Sequence, residues 1–257
     1  MDFKRFVCMH KIFVITILIG CTIAIWHFIV GVIQWDNAAY NIPENVYISW
    51  IGGTIFFSQS YWFYLVFPLL VSLSIGIEYG YLYRKRYFYQ IEVRKGRKKY
   101  TTEQGVKIFL MGALVALAPL TLNFLLTMTQ RPLIYPDPLV SIGPYANEVG
   151  AYFYYMHPMI YTIVFILFDG MFAGAVALFT CSLCNVLENY FIAAILPFAI
   201  YYTLSTISGM FDSDFLSINL VLLPGYGVKS LDGYILVFIF VIISVALWFA
   251  LGMKKDL

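Results

Sequence analysis

Six apolar segments, each about 20 residues long or longer, constrain the fold of this chain more than any other feature. A helix of about 20 apolar residues matches the roughly 30 Å hydrocarbon core of a bilayer. Only 12% of the 257 residues are charged, whereas a soluble domain has about a quarter. The sequence therefore predicts an all-α membrane protein with six transmembrane helices in a single domain, residues 1–257. These helices, numbered span 1 to span 6, are expected at about Ile12–Ile33, Tyr61–Leu82, Val106–Met128, Met159–Cys184, Tyr190–Phe211 and Gly233–Leu251.

Prolines lie inside the predicted spans, among them Pro119 in span 3 and Pro197 in span 5. A proline frees the carbonyl one turn earlier, and a spanning helix tolerates this where a neighbour satisfies that carbonyl. The short linker Asn185–Asn189 joins spans 4 and 5, so these two spans are predicted to form a tight helical hairpin.

Lysine and arginine are distributed unevenly between the connections, and this asymmetry sets the predicted orientation. With both termini inside, fourteen of the sixteen Lys and Arg residues fall on the cytoplasmic side, and only Arg131 and Lys229 fall outside. Positive charge in short loops favours the cytoplasm. The chain is therefore predicted to lie in the cytoplasmic membrane with its N-terminus and its C-terminus both inside.

The connection between spans 2 and 3 carries half of the positive charge of the chain. Eight Lys and Arg residues lie between Arg84 and Lys99. Aromatic and apolar residues recur there at helical spacing, so one face of a helix is predicted to be apolar. The bias toward positive cytoplasmic loops explains the sign of the charge but not this pattern. The apolar face comprises Tyr83, Tyr87, Phe88 and Ile91, while Arg84, Lys85, Arg86 and Arg94 project elsewhere.

Two further signals divide this connection. Gly96 is a candidate helix break, and Thr101 with Gln104 forms a Thr-x-x-Gln capping signal for the start of span 3. We therefore expect an amphipathic helix, a turn and a new helix start just below the membrane. Such a helix could lie on anionic lipid or in a groove of a cytoplasmic partner, and the residues alone favour neither.

A carboxylic acid, Asp169, is expected near the middle of span 4. A charge at that depth costs about 2.5–3.5 kcal/mol or more, so a function is the first hypothesis. Three interpretations stay open: an interhelical hydrogen-bonding anchor or neutral acid, part of a polar substrate or gating surface, and the remnant of a phosphatidyltransferase motif. The last would need further aspartates close by to hold metal ions, and none follow.

Glu78 and His27 are two other ionisable groups expected inside the spans. Glu78 lies near the inner end of span 2, where Arg84 and Lys85 are expected to neutralise it, which favours a structural tether over a proton relay. His27 is expected to be a packed or cavity residue rather than a catalytic one. Both are candidates, together with Asp169, for a substrate path or a gate.

Glycine pairs at helical spacing are expected to let helices approach closely. Gly76 and Gly80 form one such pair in span 2, and Gly170 and Gly174 form another in span 4. Each pair is expected either to pack helices within the chain or to form a dimer seam with a second membrane subunit.

The sequence contains no recognisable catalytic or metal site. Cys181 and Cys184 have Cys-x-x-Cys spacing, but no second pair and no neighbouring histidine accompany them. A phosphate-binding loop of the type Gly-x-x-x-x-Gly-Lys-Ser/Thr is missing as well. The chain is therefore predicted not to be an enzyme and to bind no metal or cofactor itself.

The two long outer connections, before span 2 and before span 4, are rich in Pro, Gly, Trp and Tyr. Aromatic residues favour the membrane interface, so a belt of anchors is one interpretation. An outer vestibule that handles an amphipathic substrate is the other. The sequence does not separate the two.

The whole arrangement resembles the permease subunits of bacterial ABC-2 type transporters. It has six spans, a short amphipathic lead-in at residues 2–11 and a basic helical connection between spans 2 and 3. The run Gly96–Tyr100 (GRKKY) is similar to the basic run that commonly precedes the third span in that family. The resemblance implies an amphipathic N-terminal elbow helix and a cytoplasmic coupling helix at Arg84–Lys95. It also implies short re-entrant helices between spans 5 and 6, where the apolar patch Ile218–Leu223 is too short to span.

The resemblance also implies partners and an energy source. Two ABC ATPase subunits would bind below the membrane and hydrolyse ATP with Mg²⁺. A second permease half, of the same or a related chain, would complete the transporter in the bilayer, and no nucleic acid is involved. The residues expected to dock on the ATPase are Arg84, Tyr87, Phe88, Ile91, Glu92, Arg94, Arg97 and Lys98.

The function predicted on this basis is export. The aromatic interior favours a hydrophobic or amphipathic cargo such as a peptide, a toxin or a drug-like molecule. Two other classes stay open: a membrane-bound immunity or sensor protein that binds a peptide through its outer loops, and a lipid-modifying membrane enzyme. The enzyme would need clustered acids or a His/Ser site, which Asp169 alone does not provide.

Overall fold

The structure of the chain, a computed structural model, consists of helices and their connections, with no strand in the residues that it describes. Six helices are long and apolar enough to cross a membrane, which confirms the prediction of an all-α, multi-pass protein with six candidate spans. The described residues are 3–34, 45–53, 57–85, 94–138, 143–145, 147–211 and 218–253, with side chains from residue 11 onward except at 209 and 211.

The helices begin and end within a few residues of the predicted limits, except at the starts of spans 1 and 3. Span 1 is an α-helix (Phe3–His27) that continues directly into a π-helix (Phe28–Ile33), so the lead-in and the span share one helix. The other spans are α-helices at Ser58–Arg84, Arg97–Met128, Pro158–Cys184, Tyr190–Phe211 and Asp232–Met253. Three shorter helices lie at Val46–Ser49, Ala151–Met156 and Ile218–Leu222.

Span 3 begins nine residues earlier than predicted, at Arg97 rather than Val106. Gly96 directly precedes the helix with a φ of 81°, a backbone conformation that glycine adopts readily. The predicted capping signal at Thr101 and Gln104 is wrong, because the helix runs through both residues. At about 1.5 Å per residue, the helix extends roughly 13 Å beyond the apolar segment toward the basic connection.

Spans 2, 3 and 4 form the centre of the bundle. In the most apolar 18-residue window of each, 61%, 50% and 67% of the residues are buried, against 22%, 28% and 17% in spans 1, 5 and 6. Span 3 packs along span 4, span 1 on spans 2 and 3, span 5 on span 2, and span 6 on span 4. The outer spans expose Leu, Ile, Val and Phe side chains, which is typical of a lipid-facing surface.

The connections gather at two opposite ends of the bundle. At the end where the first helix begins and the last helix ends, here called the proximal end, Arg84 donates to the Leu187 carbonyl at 2.7 Å. At the other, distal end, the Val46 N–H donates to the Pro132 carbonyl at 3.2 Å. The spans therefore alternate in direction. The distribution of Lys and Arg predicts that the proximal end faces the cytoplasm.

Candidate functional site

Asp169 of span 4 lies in the centre of the bundle, and none of its surface is exposed. Its Oδ2 accepts a hydrogen bond from the Tyr64 hydroxyl of span 2, with 3.2 Å between the two oxygens. Among the described residues, its Oδ1 has no hydrogen-bond partner and no Lys or Arg forms an ion pair with it. The contact joins spans 2 and 4, which favours the interpretation of Asp169 as an interhelical anchor.

Span 2 contains a third intramembrane proline, Pro68. The carbonyl that this proline leaves without a donor accepts a hydrogen bond from span 5. Pro68 has no N–H to donate to the Tyr64 carbonyl one turn earlier. The Tyr201 hydroxyl donates to that carbonyl instead, at 2.7 Å. Tyr64 is therefore bonded to span 4 through its hydroxyl and to span 5 through its carbonyl.

A buried segment between spans 1 and 2, Asn45–Gly53, packs into the distal end of the bundle. Each residue from 46 to 51 is at most 5% exposed. The Asn45 side chain accepts from the Ile48 N–H at 2.9 Å and caps the short helix there. The Ile51 N–H donates to Oδ1 of Asn123 in span 3, at 2.8 Å. Backbone donors are thus satisfied away from water, as an irregular segment inside a bundle requires.

The connection between spans 5 and 6 packs against this buried segment. It contains the short helix Ile218–Leu222, at the place where the resemblance implies re-entrant helices. The Gly225 N–H donates to the Gly52 carbonyl at 2.8 Å, and a side chain at position 225 would overlap the Gly53 carbonyl. We call the two segments together the distal plug, which comprises Asn45–Gly53 and Ile218–Val228.

The distal plug lies directly against the Tyr64–Asp169 pair. The Tyr64 hydroxyl is only 3.0 Å from the position that a Cβ atom at Gly52 would occupy. The Trp50 ring lies beside the same glycine, is 1% exposed and meets the Phe124 ring edge-on with 5.5 Å between the centroids. The plug therefore closes the distal side of the buried carboxyl.

The two outer connections differ in how they place their aromatic residues. Trp50 of the first connection is buried in the plug, so an interface belt does not describe it. Tyr135, Tyr145 and Tyr152, before span 4, are 67%, 76% and 77% exposed. Among the described residues, the belt of anchors therefore fits the exposed tyrosines before span 4 and not Tyr47 or Trp50, which are 5% and 1% exposed.

Tyr155 anchors the second outer connection, because its hydroxyl donates to the Pro144 carbonyl at 3.0 Å. Burial raises the pKa of the Tyr155 hydroxyl, and the nearby carboxylates of Glu148 and Asp137 raise it further. The hydroxyl therefore keeps its proton at neutral pH and stays a donor.

His27 is completely buried and packed, as expected from the sequence. Asn123 Nδ2 donates to the Ala24 carbonyl at 2.8 Å and lies 3.2 Å from Nδ1 of His27. Since Oδ1 of Asn123 already accepts from Ile51, its amide orientation is fixed and Nδ1 of His27 is the acceptor. Asn123 thus links span 1, span 3 and the distal plug. Asn123 is not among the predicted site residues, although a lone amide in an apolar span is a usable signal.

The predicted neutralisation of Glu78 by Arg84 and Lys85 is wrong. Arg84 donates to the Leu187 carbonyl, and the Lys85 ammonium lies 5.9 Å from the centre of an aromatic ring of its own helix. Neither forms an ion pair with Glu78 in the described part of the chain. Glu78 is half-buried and lies fourteen residues, or about 21 Å, along span 2 from Tyr64, so it does not belong to the Asp169 site.

Both glycine pairs lie at helix contacts within the chain, which favours packing over a dimer seam. A Cβ atom at Gly76 would lie 2.5 Å from the Thr180 methyl group of span 4, and one at Gly80 would overlap Tyr190 of span 5. In span 4 the neighbours belong to span 3: Cβ atoms at Gly170 and Gly174 would lie 2.8 Å from Leu117 and 2.7 Å from Phe109, respectively.

The basic connection is described only in part. Arg84 and Arg97 each bond to a backbone carbonyl of another span or connection, while Arg94 and Lys98 are exposed. Lys95 forms an ion pair with Glu103 at 2.6 Å. Four residues predicted to dock on an ATPase lie outside the described residues: Tyr87, Phe88, Ile91 and Glu92.

Neither a metal centre nor a relative points to the chemistry of this chain. No group of three or more His, Cys, Asp or Glu side chains that could hold a metal ion occurs within the described ranges. In comparisons with known proteins, no family model, curated protein or solved structure matches the chain significantly. The Tyr64–Asp169 pair beneath the distal plug is the candidate functional site on physical grounds alone.

Replacing Tyr201 by phenylalanine is expected to lower the free energy of unfolding by about 1–3 kcal/mol, because the buried Tyr64 carbonyl loses its donor. Denaturant titration of the purified chain in detergent measures this change. The matched control is Tyr202→Phe, at a position that is 48% exposed, where the change should stay within about 0.5 kcal/mol. Equal stability of the two variants would contradict the assigned role of the Tyr201 hydroxyl.

Proposed function

We propose that this chain is the permease subunit of an ATP-driven exporter of the ABC-2 type in a bacterial cytoplasmic membrane. The observation that carries the proposal is the 32-residue helix Arg97–Met128, which runs unbroken from the basic connection through span 3. A force applied at the basic connection would reach the middle of the bundle along this single helix.

Two hydrogen bonds at the proximal end join span 3 to span 6. Arg97 Nε donates to the Gly252 carbonyl at 2.8 Å, and Trp248 Nε1 donates to the Thr101 carbonyl at 3.0 Å. The Trp248 ring also lies against Gly105, where a Cβ atom would be 2.6 Å from Nε1. These contacts support a mechanism in which spans 3 and 6 respond together.

The other side of the basic connection is tied to the hairpin of spans 4 and 5, because Arg84 bonds to the Leu187 carbonyl. In the proposed mechanism, two ATPase subunits bind ATP and Mg²⁺ and close beneath the membrane. Their closure pushes on a coupling helix at Arg84–Lys95, which swings spans 2 and 3. The site then opens alternately to the two sides of the bilayer.

A second permease half completes the transporter in this proposal, and neither half binds a cofactor. Aromatic contacts in the core, such as the Phe67–Phe172 pair with 6.0 Å between ring centroids, support a hydrophobic or amphipathic cargo. Peptides, toxins and drug-like molecules are the classes of cargo to test first.

The test is the double replacement Tyr87→Ala and Phe88→Ala. The chain should be co-expressed with a Walker-type ATPase, first of all one encoded next to its gene if such a gene exists. Loss of the apolar docking face should abolish co-purification of the ATPase and reduce cargo-stimulated ATP hydrolysis at least about tenfold, since apolar and aromatic anchors carry most binding energy at interfaces. Insertion of the six spans should be unchanged.

The matched control is the double replacement Tyr145→Ala and Tyr152→Ala, which removes two exposed tyrosines at the distal end. This variant should bind the ATPase as the unmodified chain does. Undiminished co-purification and transport in the Tyr87/Phe88 variant would refute the docking role.

A sensor or immunity protein is the second candidate function. The three strongly exposed tyrosines before span 4 favour it, because such side chains suit peptide binding at the distal face. Full protection of cells by the chain in the absence of any ATPase would support this function against the exporter.

A further inference from the structure

The distal plug is built from two distant parts of the chain that meet through glycine backbone. The hydrogen bond from Gly225 to Gly52 and the contact of Gly225 with Gly53 leave no room for a side chain at position 225. On either side of this contact, Ile51 and Val221 are completely buried. The two parts therefore form one packed body.

Single neutral hydrogen bonds tie this body to the central spans. The Ile51 N–H donates to Asn123 of span 3 at 2.8 Å, and the Tyr161 hydroxyl of span 4 donates to the Pro224 carbonyl at 3.1 Å. Each bond joins one half of the plug to one span. Neither involves a charged group. The plug is also bonded to the connection before span 4, because the Val46 N–H donates to the Pro132 carbonyl at 3.2 Å and the Val149 N–H donates to the Val228 carbonyl at 2.9 Å.

Polar atoms near the Tyr64 hydroxyl lack hydrogen-bond partners and would gain them if the plug moved. Within the described part of the chain, Asp169 Oδ1 and Ser60 Oγ are buried without a hydrogen-bond partner. Ser60 lies one helical turn before Tyr64, whose hydroxyl touches the plug at Gly52. Buried polar atoms without partners cost free energy, so water or a ligand entering from the distal side offsets part of the cost of opening.

We propose that the distal plug is a gate that moves as one body and, on opening, exposes Ser60, Tyr64 and Asp169 to the distal side. The exposed carboxyl and hydroxyls suit a cargo that carries N–H donors, such as a peptide or an amine. The role of this opening in export rests on the proposed function, whereas the opening itself is a property of this chain alone.

The experiment uses a wedge at the glycine contact and cysteine reporters on either side of it. The wedge is Gly225→Ala, whose methyl group overlaps the Gly53 carbonyl. Reporters are Ser49→Cys in the plug, Ser60→Cys beneath it and Thr101→Cys at the proximal end, at positions that are 4%, 0% and 3% exposed. Maleimide labelling is followed on the purified chain in nanodiscs, in a background with alanine in place of Cys8, Cys21, Cys181 and Cys184.

With Gly225 intact, all three reporters should label slowly, and the wedge should raise the labelling rates at Ser49→Cys and Ser60→Cys together by about 10- to 100-fold. Thr101→Cys should keep its slow rate. The control Leu231→Phe adds bulk at a position of the same connection that is 58% exposed, and should change none of the three rates.

Three outcomes would overturn the proposal. A faster labelling rate at Ser49→Cys alone would mean that the plug moves without exposing the site beneath it. Unchanged rates at both distal reporters would mean that the glycine contact does not hold the gate. An equal rise at Thr101→Cys would mean global opening of the bundle. Because no ATPase takes part, failure here is distinguishable from failure of ATPase binding in the Tyr87/Phe88 experiment.

Discussion

Replacing Trp50 by alanine is expected to reduce the free energy of unfolding by about 3–5 kcal/mol. The Trp50 ring is 1% exposed, packs on Phe124 and lies beside Gly52, so its removal leaves a cavity between the distal plug and span 3. The surrounding backbone is held by hydrogen bonds and cannot fully collapse into that space. Denaturant titration of the purified chain in detergent, followed by helical circular dichroism, gives the change.

The control for this experiment is Trp62→Ala. Trp62 lies in the second turn of span 2 at a position that is 51% exposed, so the same substitution should have a much smaller effect there. A loss of stability no larger in the Trp50 variant than in the Trp62 variant would show that the plug does not pack as described.

Replacing Gly76 by leucine is expected to cost about 3 kcal/mol or more, or to prevent folding, because a Cβ atom there would already lie 2.5 Å from Thr180 and 3.2 Å from Ala194. Helices in a membrane associate through close packing rather than through the hydrophobic effect, so spans 4 and 5 would have to separate from span 2. Yield of monodisperse chain and its thermal midpoint are the measurements.

Ala199→Leu is the matched variant, because it adds apolar bulk to the exposed side of span 5. Its stability should equal that of the unmodified chain. If Gly76→Leu instead left the isolated chain stable and only disrupted a dimer, the glycine pair would be an intermolecular seam and the packing interpretation would be wrong.

Hydropathy and length were sufficient to predict the six spans. The predicted limits of span 4, Met159–Cys184, differ by one residue from the helix Pro158–Cys184, because an apolar run of this length has one favourable placement in a bilayer. The start of span 3 could not be found in this way. There, Gly96 and not the capping signal at Thr101 determines where the helix begins.

The candidate site depends on pairings that leave no local pattern in the sequence. Asp169 was identified because a carboxyl group is rare in an apolar span, but its partner Tyr64 lies 105 residues away. Tyrosines are abundant in this chain, so nothing marks Tyr64 or Tyr201 in advance. Asn45–Gly53 is too short to read as a span, and its burial follows from contact with Gly225, far along the chain.

During synthesis, span 2 enters the bilayer long before span 5 exists, because 137 residues separate Tyr64 from Tyr201. Until span 5 has packed on span 2, the Tyr64 carbonyl, which Pro68 leaves without a donor, faces hydrocarbon or retains a water molecule. A truncated nascent chain that ends before residue 201 should therefore leave the translocon with a locally hydrated second helix.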